Sequence, residues 1–149
     1  MNLFLNNLAE IKISYSSKVP AKDRPQVSSS KDAEKNFRLI FDDIEYRESF
    51  YILLLNRANR ILGFNLISQG GISGTITDIR MIFQTALKAN ACAIIVAHNH
   101  PSGNLQPSVA DKKITQKIKE AGQLLDIHLL DHIILSTDSY FSFADESLI

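Results

Sequence analysis

Apolar and polar positions alternate from Leu8 to Tyr15, with Ile11, Ile13 and Tyr15 on one side and Lys12 and Ser14 on the other. A period of two predicts a half-buried strand. Between Lys18 and Ser30 the pattern dissolves into Pro20, Pro25 and a serine triplet, so a linker is expected there. The period then lengthens. Ala33, Phe37, Ile40, Phe41 and Ile44 recur every three or four residues behind Ser30 or a neighbouring serine, which predicts a capped amphipathic helix.

Two apolar runs follow, Phe50 to Leu55 and Arg60 to Ile67, and the polar Asn56-Arg57-Ala58-Asn59 between them suits a hairpin. After Gly70, Gly71 and Gly74, a helix starting near Thr77 or Asp78 would bury Ile79, Ile82, Phe83, Ala86 and Leu87. Cys92 to Ala97 is unbroken apolar sequence of strand length, the mark of a central strand covered on both faces. Helical spacing returns from about Val109 to Leu125, with Ile114, Ile118, Ala121 and Leu125 on the buried stripe and Gly122 as a weak spot. Ile127 to Leu135 and Tyr140 to Phe143 read as the last strands. Strands and helices thus alternate, which predicts an α/β fold with a mixed sheet.

Composition narrows the function. A chain of 149 residues, 45% hydrophobic, suffices for one compact domain with a sizeable core. Lys+Arg and Asp+Glu both number 16, so no global field draws in a polyanion, and a dedicated nucleic-acid binder is disfavoured. A single cysteine, Cys92, excludes an internal disulfide and a multi-thiolate zinc cage, leaving any metal to His and carboxylate ligands. The first dozen residues lack the parts of a signal peptide and no run has membrane-spanning length, so a cytoplasmic protein without membrane contact is expected.

Chemistry concentrates at His98-Asn99-His100. Residues two apart in a strand share a side, so both imidazoles can face one point while Asn99 faces away. Ser108 then starts a helix, and Asp111 falls where a capping box places its acid. Two imidazoles and a carboxylate form a three-ligand set for Zn²⁺ with one position left for water, the arrangement of a catalytic rather than a structural site. A general base is needed beside it. Glu34, Glu45, Glu48, Glu120 and others are available; Glu48 heads the strand Phe50 to Leu55, a place from which a carboxylate could reach across to a neighbouring strand's end, but the residues alone leave the choice open.

The run His98-x-His100, seven residues, Ser108, two residues, Asp111 matches H-x-H-x7-S-x2-D, the JAMM motif of JAB1/MPN metalloproteases. Within that superfamily the chain resembles the RadC family through HNHPSGNLQPSVAD, ALKANACAIIVA, LLDHIIL, SYFSFADE and ESFYILLLNRANRILG, roughly Glu48 to Ile149. The resemblance implies a JAB1/MPN-like mixed sheet flanked by helices, in a three-layer architecture like that of cytidine deaminases. It divides the chain into an N-terminal strand and linker, 1–30, and a RadC-like domain with its leading helix, 31–149. It also implies zinc on His98, His100 and Asp111, Glu48 as the base, Ser108 as donor to the developing oxyanion, and hydrolysis of a peptide or isopeptide bond in a peptide or protein substrate. Some features depart from the family. Its usual helix-hairpin-helix module is replaced here by a strand, a linker and a helix, which weakens an inherited expectation of DNA binding. Asn56, Ile79 and Met81 also differ from the residues typical of the family, and none is a proposed ligand.

Other readings compete. An HNH nuclease spreads its histidines over a longer element, and a zinc deaminase needs more thiols than one cysteine supplies. A metal-binding module that catalyses nothing, or an accessory protein in DNA repair or processing, is the alternative function. Asp131-His132 could orient a metal ligand from behind, although a hydrogen-bonded structural pair is the simpler expectation. His128 is expected to point outward, Cys92 to be a core thiol, and Lys112, Lys113, Lys117 and Lys119 to form a solvated helix face. An apolar edge at Tyr51 to Leu55 could pair with a second copy in a homodimer, or simply be buried by a neighbouring strand.

Overall fold

The computed structural model describes residues 7–70 and 76–149; Gly71 and Gly74 lie outside them. Its elements in chain order are α1 (Ser30–Ile40), β1 (Ser49–Leu55), β2 (Ile61–Gln69), α2 (Ile79–Lys88), β3 (Ala93–Asn99), α3 (Val109–Leu124), β4 (His128–Leu135) and β5 (Tyr140–Ser142). The strands form one sheet in the order β2-β1-β3-β4-β5, with β3 and β4 parallel and the other pairs antiparallel. This is the mixed α/β sheet expected from the pattern.

Each face of the sheet is covered because alternate residues of the buried strands point opposite ways. Phe50, Ile52, Leu54, Ile94 and Val96 meet α2 and α3 through Ile82, Phe83, Ala86 and Ile118. Tyr51, Leu53, Leu55, Ile95, Ala97 and Ile133 meet α1 through Ala33 and Phe37. Every residue of β1 and β3 is buried, as befits strands with cover on both faces. Side-chain caps start each helix: Ser29 accepts the N–H of Asp32, Asp78 that of Arg80, and Ser108 that of Asp111.

Several expectations change. Leu8 to Tyr15 is no strand: Ile11 is 86% and Ile13 78% exposed, and the arm's tie to the body is a hydrogen bond from the Tyr15 hydroxyl to the Leu62 carbonyl at 2.5 Å. Alternation makes a strand only where a partner edge takes up its N–H and C=O groups. Gln26 bridges to Arg60 and Val27 is buried in the α1-side core, so packing begins inside the stretch read as linker. Helix α1 stops at Ile40, short of Ile44, because Phe41 turns to extended geometry. Leu87 and Leu125 are exposed rather than buried, and Ala86, Ala89, Gly122 and Ile127 take the inner positions instead. Cys92 is half-buried just ahead of β3, not a core thiol. Tyr51 to Leu55 lies in an interior strand between β2 and β3, so it offers no edge to a second copy.

Gly122 is a requirement rather than a weak spot. A Cβ there would lie 2.2 Å from the carbonyl oxygen of Ile127, where the chain crosses over α3 to enter β4. Backbone cannot yield as a side-chain tip can. Gly122→Ala is therefore expected to cost about 2–3 kcal/mol or more, despite alanine's better helix propensity. Thermal unfolding should register this as a drop of about 5–10 °C; an unchanged midpoint would refute the close approach.

Candidate metal centre

Strand β3 emerges from the sheet's centre carrying His98 on the α3 side, and His100 follows at the first residue beyond it. Helix α3 begins close by with a full capping box: the Ser108 hydroxyl accepts the Asp111 N–H at 3.0 Å, and Asp111 Oδ2 accepts the Ser108 N–H at 2.8 Å. The box turns the Asp111 carboxylate back toward the histidines. Asp111 Oδ1 lies 3.2 Å from His98 Nε2, Asp111 Oδ2 lies 3.3 Å from His100 Nε2, and the two Nε2 atoms are 3.0 Å apart. His98, His100 and Asp111 thus offer three ligand atoms, all within 4.8 Å of one another.

These separations suit a metal. Donors at zinc's bond lengths of about 2.0–2.1 Å form a tetrahedron whose edges are about 3.3 Å. His100 Nδ1 donates to the Asn104 carbonyl at 2.6 Å, and a carbonyl can only accept, so in the neutral ring Nε2 carries the lone pair. Two ring nitrogens facing each other at 3.0 Å need a proton or a cation between them.

Electrostatics agree. The Asp111 hydrogen bond raises the His100 pKa above its ordinary value, more than burial lowers it, and the nearby Glu48 adds to the rise. Burial opposes ionisation of Asp111, yet hydrogen bonds from His100 and His98 outweigh it and hold the carboxyl well below the usual range. The same contacts that favour a proton on His100 and a charge on Asp111 would favour a metal cation between them.

Glu48 precedes β1, and the β1–β3 register pairs Phe50 with His98. Two residues further along that register, Glu48 falls opposite His100 on the same face. It lines two clefts flanking the ligands. One, of about 270 Å³, is walled by Phe50, Thr77, Ala110 and Ile114 beside His98 and Asp111. The other, of about 350 Å³, is walled by Pro101, Asn104, Gln106 and Ser108 beside His100.

Sequence reasoning missed how Glu48 is held. Asn99, fully buried and facing the other way, accepts the Ser49 N–H at 2.8 Å and donates to the Arg47 and Ile44 carbonyls at 2.8 and 2.9 Å. Glu48 is thereby clamped on both flanks by the residue between the two histidines. The pair Asp131-His132 splits across the sheet, since neighbours in a strand face opposite ways. Asp131 turns toward the α1 side, bonded to Ser142 and to the Ala144 N–H, and burial raises its pKa. His132 turns inward to His98, and burial pushes its pKa well down. His128 is exposed, as are Lys112, Lys113 and Lys117, while Lys119 is half-buried.

The model of the RadC-like JAB domain matches residues 27–148. A UPF0758 protein of Flavobacterium johnsoniae is 45% identical over 123 residues, 83% of this chain and 53% of that protein. Similar proteins of the same name occur in Porphyromonas gingivalis, 40% identical over 138 residues (90% of this chain, 60% of that protein), and in Haemophilus ducreyi, 47% over 104 (70% and 47%). The chain spans about half the length of these curated relatives. With the mixed sheet and the His-His-Asp cluster already in place, these likenesses assign the chain to the RadC family, and its fold is that family's JAB/MPN-like α/β domain.

Proposed function

We propose that this domain is a zinc-dependent hydrolase of a peptide or isopeptide bond, with His98, His100 and Asp111 as ligands, Glu48 as general base and Ser108 as oxyanion donor. The observation that supports it most is the convergence of the three ligand atoms beside Glu48, which borders the clefts on both sides of them. Two imidazoles and a carboxylate, without thiolates, form a donor set typical of catalytic zinc. When bound, such an ion supplies Lewis acidity and lowers the pKa of water at its open position.

The chain's own groups do the rest. Glu48, on the same face as His100, takes the proton from the attacking water and returns it to the leaving amine. Ser108 Oγ spends an acceptor lone pair on the helix cap, which leaves its proton to be donated to a carbonyl oxygen becoming negative. A peptide lying across the ligands would place groups in both clefts, one walled mainly by apolar side chains and the other mainly by polar ones.

No helix among the described residues is long and apolar enough to cross a membrane. We place the protein in the cytoplasm on its single cysteine; its zero net charge lends no support to a nucleic-acid partner, which stays possible through a local basic patch. Protein purified without chelator is expected to carry close to one zinc per chain by elemental analysis, and to generate new peptide termini, read by mass spectrometry, in a mixture of unfolded proteins. Zinc below a few tenths per chain, even after addition of the metal and desalting, would remove the basis for the reading.

A further inference from the structure

Behind His98 lies a buried polar chain for which the reaction above has no use. His98 Nδ1 is 2.8 Å from His132 Nε2, His132 Nδ1 is 2.6 Å from Thr115 Oγ1, and Thr115 Oγ1 donates to the Asp111 backbone carbonyl at 2.6 Å. His132 is fully buried and Thr115 is 3% exposed. The His132 ring lies flat on Phe143, centroids 4.7 Å apart and planes 12° apart, and meets Phe50 edge-on, so its plane is held from two sides.

The protons along this chain can be assigned from one end. The Asp111 carbonyl can only accept, so the single hydroxyl proton of Thr115 goes to it. Thr115 Oγ1 must then accept from His132 Nδ1–H. A buried imidazole with no carboxylate bonded to it among the described residues is neutral, so His132 Nε2 carries a lone pair and accepts in turn from His98 Nδ1–H. In the neutral His98 ring, the form that can bind a metal, the one proton is therefore at Nδ1. His98 Nε2 is left bare, facing His100 and Asp111.

We propose that His132 and Thr115 are positioning residues that hold His98 in the Nδ1-protonated tautomer, so that its Nε2 lone pair faces the metal centre before any metal arrives. The proposal rests on the metal reading of His98, His100 and Asp111. It also explains how ligands on separate elements keep their spacing: His98 on β3, His132 on β4 and Thr115 on α3 close a loop that ends on the backbone of Asp111 itself. The partner behind His98 is a neutral imidazole rather than an acid, because Asp131, the acid next to His132, faces the other side of the sheet.

The test combines ring-nitrogen NMR on the metal-free chain with zinc affinity from chelator competition. In the unsubstituted protein the His98 ring is expected to show Nδ1 protonated and Nε2 bare. His132→Leu keeps the volume but removes the acceptor, and is expected to weaken zinc binding about 10–100-fold. His132→Gln, which restores an acceptor oxygen, is expected to recover most of that loss, a rescue that a merely space-filling role would not produce. Thr115→Val provides the same test with less disturbance of the core, and should weaken zinc and shift the His98 ring toward mixed tautomers. Nε2 protonation of His98 in the unsubstituted chain overturns the proposal, as does unchanged zinc affinity in both His132→Leu and Thr115→Val. Failure of the unsubstituted chain to bind zinc would overturn the metal reading instead, and the NMR result would still decide the proton assignment.

Discussion

Glu48→Gln is expected to reduce the rate of peptide-bond hydrolysis by about 10²–10⁴-fold while leaving zinc content unchanged. The amide matches the carboxylate in size and still fits between the two clefts, but it cannot take a proton from water. None of the three ligand atoms belongs to Glu48, so the metal should stay. The loss should fall on kcat, with KM little changed, because proton transfer occurs in the transition state. This variant also separates the proposed hydrolase from a metal-binding module of the same fold: a module would show no rate to lose. Retention of full activity would transfer the base to another group and remove Glu48 from the mechanism.

Asp111→Ala is expected to weaken zinc binding by more than about a hundredfold, since losing a direct ligand should exceed what loss of a supporting group costs. It also removes one half of the capping box on α3, the carboxylate that accepts the Ser108 N–H, while the N–H of residue 111 keeps its bond to Ser108 Oγ, for about 0.5–1 kcal/mol of stability in addition. The same site predicts opposite pH dependences with and without metal. His100 must be neutral to ligate, and its pKa is raised, so zinc affinity falls as pH drops below that raised value. In the metal-free protein a raised folded pKa means stability that is complete below the unfolded value of about 6.5 and is lost as pH rises through the folded one. Asp111, with its pKa lowered, contributes above about 3.9 and loses its contribution as pH falls below that. As pH falls from above the raised His100 value to about 6.5, therefore, the metal-free chain should gain thermal stability and the zinc-loaded chain should lose it. Unfolding scans with and without chelator across that range would show this crossing, and parallel curves would contradict it.

Local chemistry and local periodicity were legible without coordinates. The α3 start was readable because Ser108 and Asp111 satisfy each other's backbone within four residues, whatever surrounds them. The hairpin of β1 and β2 was readable because its turn and both strands are contiguous. The convergence of His98, His100 and Asp111 was readable for a related reason: a two-residue strand spacing and a helix cap each orient a side chain by backbone geometry alone. Where a residue's fate depended on a distant partner, the pattern misled. Ile11 and Ile13 alternate as a strand would, yet nothing in their own stretch could show that no ladder accepts them. Tyr51 to Leu55 looked the same as an apolar edge or as an interior strand until β3 took its place beside it.

By itself, then, the sequence determined the α/β class and the convergence of His98, His100 and Asp111, because each follows from spacing along a strand or a helix turn; spacing left the choice of glutamate open, and only the family resemblance pointed to Glu48. Tertiary structure decided everything that joins elements far apart in the chain. It set Asn99 against both flanks of Glu48, passed Ile127 over the bare Cα of Gly122, and linked His98 through His132 and Thr115 to the backbone of Asp111. The physical reason is that a hydrogen bond between remote residues leaves no periodicity in the chain. It exists only once the sheet's order and register have brought donor and acceptor within about 3 Å.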